Sequence, residues 1–162
     1  MHKNKEKDFS NIIESTIAGI GAFLAIVFLG ILSEQTGTIM IIAPLGATAV
    51  LLYSAPNSPF SKPLNIFSSY LISTILGMII LKYSGGSWFP VGIGLALTII
   101  MMHLLKVIHP AAGANYLIVT QGELSFVLLG STFIGLVILI IISIYIEKIR
   151  KKFLLLDFGN EL

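Results

Sequence analysis

The chain contains no cysteine. Disulfides, thiolate nucleophiles and cysteine-ligated metal sites are therefore excluded, and redox compartment cannot be read from the composition. Charge is almost as scarce: only 11% of the 162 residues are Asp, Glu, Lys or Arg, roughly half the share of a soluble domain. The net charge of +2 is too small for a nucleic-acid surface. The basic residues gather at the two ends, where they report topology rather than a binding patch. Enzyme signatures are missing as well: there are no paired carboxylates in an apolar segment, no nucleophile elbow, no phosphate loop and no His-Glu-x-x-His run. No enzyme activity, cofactor or metal site is expected.

What fills the chain is apolar. Hydrophobic residues make up 56% of it, and the mean hydropathy is +0.95. A soluble core of this size cannot hide so much apolar surface, so the class is an all-α integral membrane protein. Between Asp8 and the C-terminal cluster, charges fall at Glu14, Glu34, Lys62, Lys82, Lys106, Glu123 and Glu147, which bound six uncharged stretches. A helix needs about 20 residues to cross the hydrocarbon core. Residues 15–33, 63–81, 88–105 and 124–146 are uninterrupted and predict four transmembrane helices. Residues 36–55 are broken by Pro44 and Gly46, and residues 107–122 by Pro110 and Gly113. Proline lacks a backbone donor and has a helical φ, so a helix starts there more readily than it runs through. A half-helix is expected to begin at each.

The remaining organisation follows from these breaks. A cytoplasmic segment 1–14 precedes a single transmembrane domain over 15–148, and 149–162 is a cytoplasmic tail. The domain divides into repeats of about 15–82 and 88–147, each a helix, a broken element and a helix. The first span lacks a convincing cleavage site and reads as a retained helix. Ser54 to Pro63, with three prolines, reads as an ordered turn. Ser84-Gly85-Gly86-Ser87 reads as a flexible joint, with Trp88 and Phe89 as interfacial anchors. Basic residues at both ends place both termini in the cytoplasm and demand an even number of crossings. Six crossings fit Lys62, Lys82 and Lys106 slightly better than four, and make the halves inverted repeats. The membrane is expected to be the plasma membrane, with a second copy of the chain as a partner.

The broken elements carry the candidate chemistry. Ala43-Pro44-Leu45-Gly46-Ala47-Thr48 and His109-Pro110-Ala111-Ala112-Gly113-Ala114-Asn115 repeat one pattern, about 67 residues apart by their glycines. Interrupted segments at corresponding places in two halves point to a substrate site. A helix N-terminus carries unpaired N–H groups and a partial positive charge, so it attracts an anion without any buried Lys or Arg. The expected donors are the N–H groups of Gly46, Ala47, Gly113 and Ala114, with side chains from Thr48 and Asn115. The alternative is that small residues merely let helices pack closely. His109, placed where an N-cap would sit, can bind an anion, carry a proton or lie at the water interface near Lys106. His103 reads as a buried, satisfied histidine. Ser68, Ser69, Ser73 and Thr74 can line a polar path, although hydroxyls in helices commonly bond back to their own backbone.

The blocks Ala43 to Leu51, Asn57-Ser58-Pro59 and His109 to Ala114 resemble the HPP family of integral membrane proteins, named for a His-Pro-Pro motif. The likeness covers roughly residues 15–148. The family's second proline is Ala111 here, and Asn115 stands where a small hydroxyl residue is expected. Some members are implicated in nitrite transport, so the resemblance implies nitrite where the residues imply only a small inorganic anion. The expected function is transport of nitrite or nitrate, bound by Pro44, Gly46, Ala47, Thr48, His109, Pro110, Gly113, Ala114 and Asn115. A channel for a small neutral solute, or a structural or enzymatic membrane subunit, is the alternative.

Overall fold

The structure is a computed structural model that describes residues 2–122 and 126–158; Glu123 and the end of the tail, 159–162, lie outside the described residues. Those residues form six helices: α1 His2–Thr36, α2 Ala43–Ser54, α3 Pro63–Ser84, α4 Trp88–Leu104, α5 Ala111–Thr120 and α6 Phe126–Phe158. A single 3-10 turn, Pro59–Ser61, lies between α2 and α3.

Among the described residues, three helices are long and apolar enough to cross a membrane: Asn11–Thr36, Pro63–Ser84 and Leu129–Phe153. Four were expected. The fourth forms as α4, with 17 residues, or roughly 25 Å of rise. The two interrupted stretches form short helices of 12 and 10 residues. α2 begins at Ala43, one residue before Pro44, and α5 begins at Ala111, just after Pro110.

α1 runs unbroken from His2, so one helix includes both the segment 1–14 and the first span. The joint at 84–87 forms a turn set by its glycines. Gly85 caps α3 in the left-handed conformation (φ 60°), which glycine adopts without a Cβ penalty. Gly86 also has positive φ, and a Cβ there would sit 2.9 Å from the Thr120 carbonyl oxygen. Trp88 beyond it is 84% exposed, as suits an aromatic anchor.

Each long helix buries one narrow face and leaves the rest apolar and exposed, the pattern of a bundle solvated by lipid. On α1 that face is Ala18, Gly21, Ala25 and Leu29; on α3 it is Ile66, Ser69, Tyr70, Ser73, Thr74 and Gly77. α1 packs on α6 and α2, while α4 packs on α3 and α5. α2 also packs on α6, and α5 on α3; α2 and α5 touch one another, as do α3 and α6. Exchanging α1, α2 and α3 with α4, α5 and α6 leaves this set of pairs unchanged.

The path of the chain between α1 and α3 positions the site. After α1 the backbone turns at Gly37 (φ 65°) and descends beside the helix it has just left. Ser33 Oγ donates to the Thr38 carbonyl and accepts from the Met40 N–H. α2 then continues to the end of the bundle where α1 begins and α6 finishes. There, Ser54 and Arg150 border one cavity with Asn11 and Glu14, and Pro56 and Ser61 border another with Glu147, Lys148 and Lys151. The proline-rich turn is tied down by Ser61 Oγ, which donates to the Leu51 and Ala55 carbonyls, and by Asn65, which donates to the Pro59 carbonyl.

Candidate functional site

The fold brings Thr48, Tyr70 and His109 together between α2, α3 and the start of α5. His109 is 0% exposed, so it does not lie at the water interface. Nor does it cap α5. Pro110 holds the N-cap position with helical angles already set (φ −58°, ψ −36°), which leaves the imidazole free to turn inward. Its Nδ1 lies 2.8 Å from the Phe60 carbonyl oxygen. A carbonyl only accepts, so Nδ1 carries a hydrogen. Its Nε2 lies 2.9 Å from Thr48 Oγ1. Thr48 Oγ1 is also 2.9 Å from the Tyr70 hydroxyl and 3.0 Å from the Pro44 carbonyl. The Tyr70 ring lies tilted against the imidazole, with centroids 5.8 Å apart. The proline-rich turn is thus part of the site, because only its fold-back delivers the Phe60 carbonyl to Nδ1.

Asn115 stands to α5 as Thr48 does to α2, two residues beyond the glycine. Its Nδ2 donates to Ser73 Oγ and Thr74 Oγ1, both at 2.9 Å. The matching polar residues of the two broken elements therefore converge on α3. One step further along α3, Gly77 lets α5 approach, since a Cβ there would sit 2.8 Å from Val119 Cβ. Ser73 also bonds back to the Tyr70 carbonyl, and Ser69 Oγ donates to the Val107 carbonyl across the helix gap. Ser68 is only half-buried, outside the fully buried stripe.

His109, Pro110, Gly113 and Ala114 border a cavity of about 420 Å³ between α4 and α5. Leu95, Thr98, Met102 and Ile108 complete much of its wall. A Cβ on Gly113 would meet only Leu95 Cδ1, at 4.0 Å, so the glycine leaves the first turn of α5 open to it. His103 borders the same cavity and is exposed rather than buried, because it lies on the outer side of α4, away from the α3 contact.

The first motif sits differently. Gly46 is half-buried and Ala47 exposed, on the α2 face that also carries Ala43 and Val50. Neither borders the α4–α5 cavity. The Gly46 N–H donates to the Ile42 carbonyl at 3.2 Å, and the Gly113 N–H to the Pro110 carbonyl at 3.0 Å. Thr48 joins the two motifs through His109. Sequence reasoning missed Tyr70 and the Phe60 carbonyl. The i, i+3/i+4 spacing of Ser69, Tyr70, Ser73, Thr74 and Gly77 on one helix face was a signal for the first; a backbone carbonyl leaves none. Among the described residues no group of three metal-ligating side chains occurs.

A buried hydroxyl–imidazole cluster beside two short helices, inside an all-helical apolar bundle, defines a polytopic membrane protein with its polar site in the bundle interior. The model of the HPP transmembrane region matches residues 7–153, and the chain belongs to that family. It is 32% identical over 107 residues to a transmembrane protein of Dictyostelium discoideum, covering 61% of this chain and 34% of that one. A second transmembrane protein of the same organism is 32% identical over 88 residues, covering 51% of this chain and 30% of its own length. The chain thus spans about a third of the length of these curated relatives. No solved structure matches it.

Proposed function

We propose that this protein carries a small inorganic anion, nitrite or nitrate, across the membrane through the cavity at the start of α5. The observation that supports this is the α4–α5 cavity, bordered by His109, Pro110, Gly113 and Ala114, with Gly113 leaving the helix N-terminus uncovered. The positive end of a helix favours an anion there. With no fixed Lys or Arg in its wall, the site holds the ion loosely enough to release it. We further read the two halves as an inverted repeat crossing six times, with both termini in the cytoplasm. The packing set that survives exchange of the halves favours this, as do the opposite chain directions of α2 and α5 against α3: Thr48 meets Tyr70 while Leu51 meets Ser61, whereas Asn115 meets Ser73 while Thr120 meets Gly86. The two short helices then serve as half-helices whose starts pass each other within the bundle.

A second reading, a pathway for a small neutral solute, draws on the same bonds. The Gly46 and Gly113 N–H groups and both nitrogens of His109 are already engaged. Reconstitution in liposomes separates the two. Saturable uptake of nitrite and nitrate, lost in a folded Gly113→Leu variant, is the expected result. Swelling in urea without anion uptake would favour the neutral solute, and uptake no faster than in empty liposomes would overturn the anion reading.

A further inference from the structure

We propose that His109 is a proton-binding site that couples proton and anion movement, the anion being the one proposed above, on which this inference rests. The hydrogen-bond geometry around Thr48 accommodates either protonation state. Thr48 Oγ1 has one hydrogen and three neighbours: His109 Nε2, the Tyr70 hydroxyl and the Pro44 carbonyl. With neutral imidazole, the hydrogen on Nδ1 goes to Phe60 and Nε2 is an acceptor. Thr48 then donates to Nε2, and Tyr70 donates to Thr48. With a proton added at Nε2, that N–H donates to Thr48 Oγ1, Thr48 turns its hydrogen to the Pro44 carbonyl, and Tyr70 still donates to Thr48. Both states use every donor, and only a hydroxyl rotates between them. A network that stays satisfied in both states removes one obstacle to ionising a buried imidazole.

The other obstacle is the charge. The partners of the two ring nitrogens are a carbonyl and two hydroxyls in series, none of them a carboxylate. From α3 the facing titratable group is Tyr70; α2 and the Pro59–Ser61 turn present only Thr48 and a backbone carbonyl. His103 of α4 borders the shared cavity, and Lys106 lies three residues earlier in the chain. None of these groups is a carboxylate, and a tyrosine hydroxyl is ordinarily neutral near pH 7. A protonated His109 therefore lacks a fixed counter-charge among these neighbours, and an unpaired buried charge is costly. An anion in the cavity that His109 borders supplies the missing charge. By linkage, each then raises the affinity of the other: one proton adds at Nε2 as one monoanion binds, and both leave together on the other side.

Nitrate is the better probe, because its acid has no neutral form at these pH values and carries no proton through lipid. Purified wild-type protein in weakly buffered detergent should take up about one proton per nitrate bound near neutral pH, and should bind nitrate on the order of a hundredfold more tightly near pH 5.5 than near pH 8. In liposomes, an inward proton gradient should accelerate nitrate uptake, with acidification of the lumen. His109→Gln keeps an amide donor and cannot take a proton; it should lose the gain in nitrate affinity at low pH, leaving weak binding with no proton uptake and no pH dependence. The wild-type proton count needs no variant, so poor folding of His109→Gln leaves the test intact. Nitrate bound or transported by the wild type with no proton uptake overturns the coupling and leaves the anion reading standing. Proton uptake that persists in folded His109→Gln assigns the proton elsewhere. No nitrate binding by the wild type at either pH overturns the anion reading itself.

Discussion

At the scale of the residue, Thr48 is the side chain on which the interior depends most. Its hydroxyl serves Tyr70, His109 and the Pro44 carbonyl at once. Thr48→Val keeps the volume and removes the oxygen, leaving the Tyr70 hydroxyl and His109 Nε2 as buried orphans. Each such orphan costs about 1–3 kcal/mol. Tyr70→Phe removes one donor and leaves Thr48 its other two partners, so its cost is about 1 kcal/mol. The double variant should therefore lose clearly less than the sum of the two, because the phenylalanine ring carries no hydroxyl to be orphaned. Denaturant unfolding in a single detergent measures all three, and strict additivity would mean that the two hydroxyls do not act on one another. A complementary pair tests space. Gly77→Ala brings a Cβ to 2.8 Å from Val119 Cβ, a contact neither backbone escapes easily, and should destabilise by about 1–3 kcal/mol. Gly113→Ala, with its nearest atom at 4.0 Å, should leave thermal stability nearly unchanged. Equal losses in the two would show that α3 and α5 are less closely packed than the structure has them.

At the scale of the element, the starts of α2 and α5 and the turn that follows α2 were legible, and the contacts that hold the end of α2 were not. Pro44 and Pro110 mark a start because a missing donor is a local property of one residue. What holds the last turn of α2 in place lies far along the chain. The Arg150 guanidinium donates through Nη2 to the Tyr53 carbonyl, a bond between residues 97 apart, while its Nη1 pairs with Glu147 at 3.3 Å. In sequence, Arg150 belongs to a basic stop-transfer cluster and signals only orientation. In the fold it is 8% exposed and satisfies an acceptor at the negative end of a short helix. The Tyr53 hydroxyl, donating to the Leu139 carbonyl at 3.1 Å, ties the same turn to α6. His109 was legible as a functional candidate, but its direction was not, since that depends on Phe60 being carried back by a turn whose hydrogen bonds are non-local. Arg150→Gln should loosen the end of α2 and cost about 1–3 kcal/mol, with Glu147 left short of its partner. Glu147→Gln in addition should recover part of that loss. Hydrogen exchange of the last turn of α2 checks this locally: faster exchange there in Arg150→Gln, with α5 unchanged, is expected. Exchange that rises equally throughout would mean that Arg150 supports the whole bundle rather than this helix end.

At the scale of the whole molecule, the open question in the sequence was whether the interrupted stretches cross the membrane or dip and return. Loop charges differ between these alternatives by only a residue or two, too few to separate them. Lengths and contacts say more. Beyond the turn at Gly37 and Thr38, the stretch 39–42 reaches up to roughly 14 Å, and the 12 residues of α2 add about 18 Å. Together they come to about the roughly 30 Å of the hydrocarbon core, which neither reaches alone. The stretch runs back along α1 from Thr38 and Met40 beside Ser33. It finishes with Ser54 beside Asn11, Glu14 and Arg150, at the end where α1 begins. A dipping segment would instead return to the end where α1 finishes. With six crossings, Asn57 after α2 shares the side of the termini, and Ser87 after α3 faces the other. Both positions are exposed, and the cysteine-free chain allows single Asn57→Cys and Ser87→Cys probes without background. On intact cells, an impermeant maleimide is expected to label Ser87→Cys and to reach Asn57→Cys only after permeabilisation. The opposite pattern would mean that 37–54 is re-entrant and the bundle crosses four times. Labelling of both from outside would break the common assumption that α3 spans the membrane, and with it either form of the repeat.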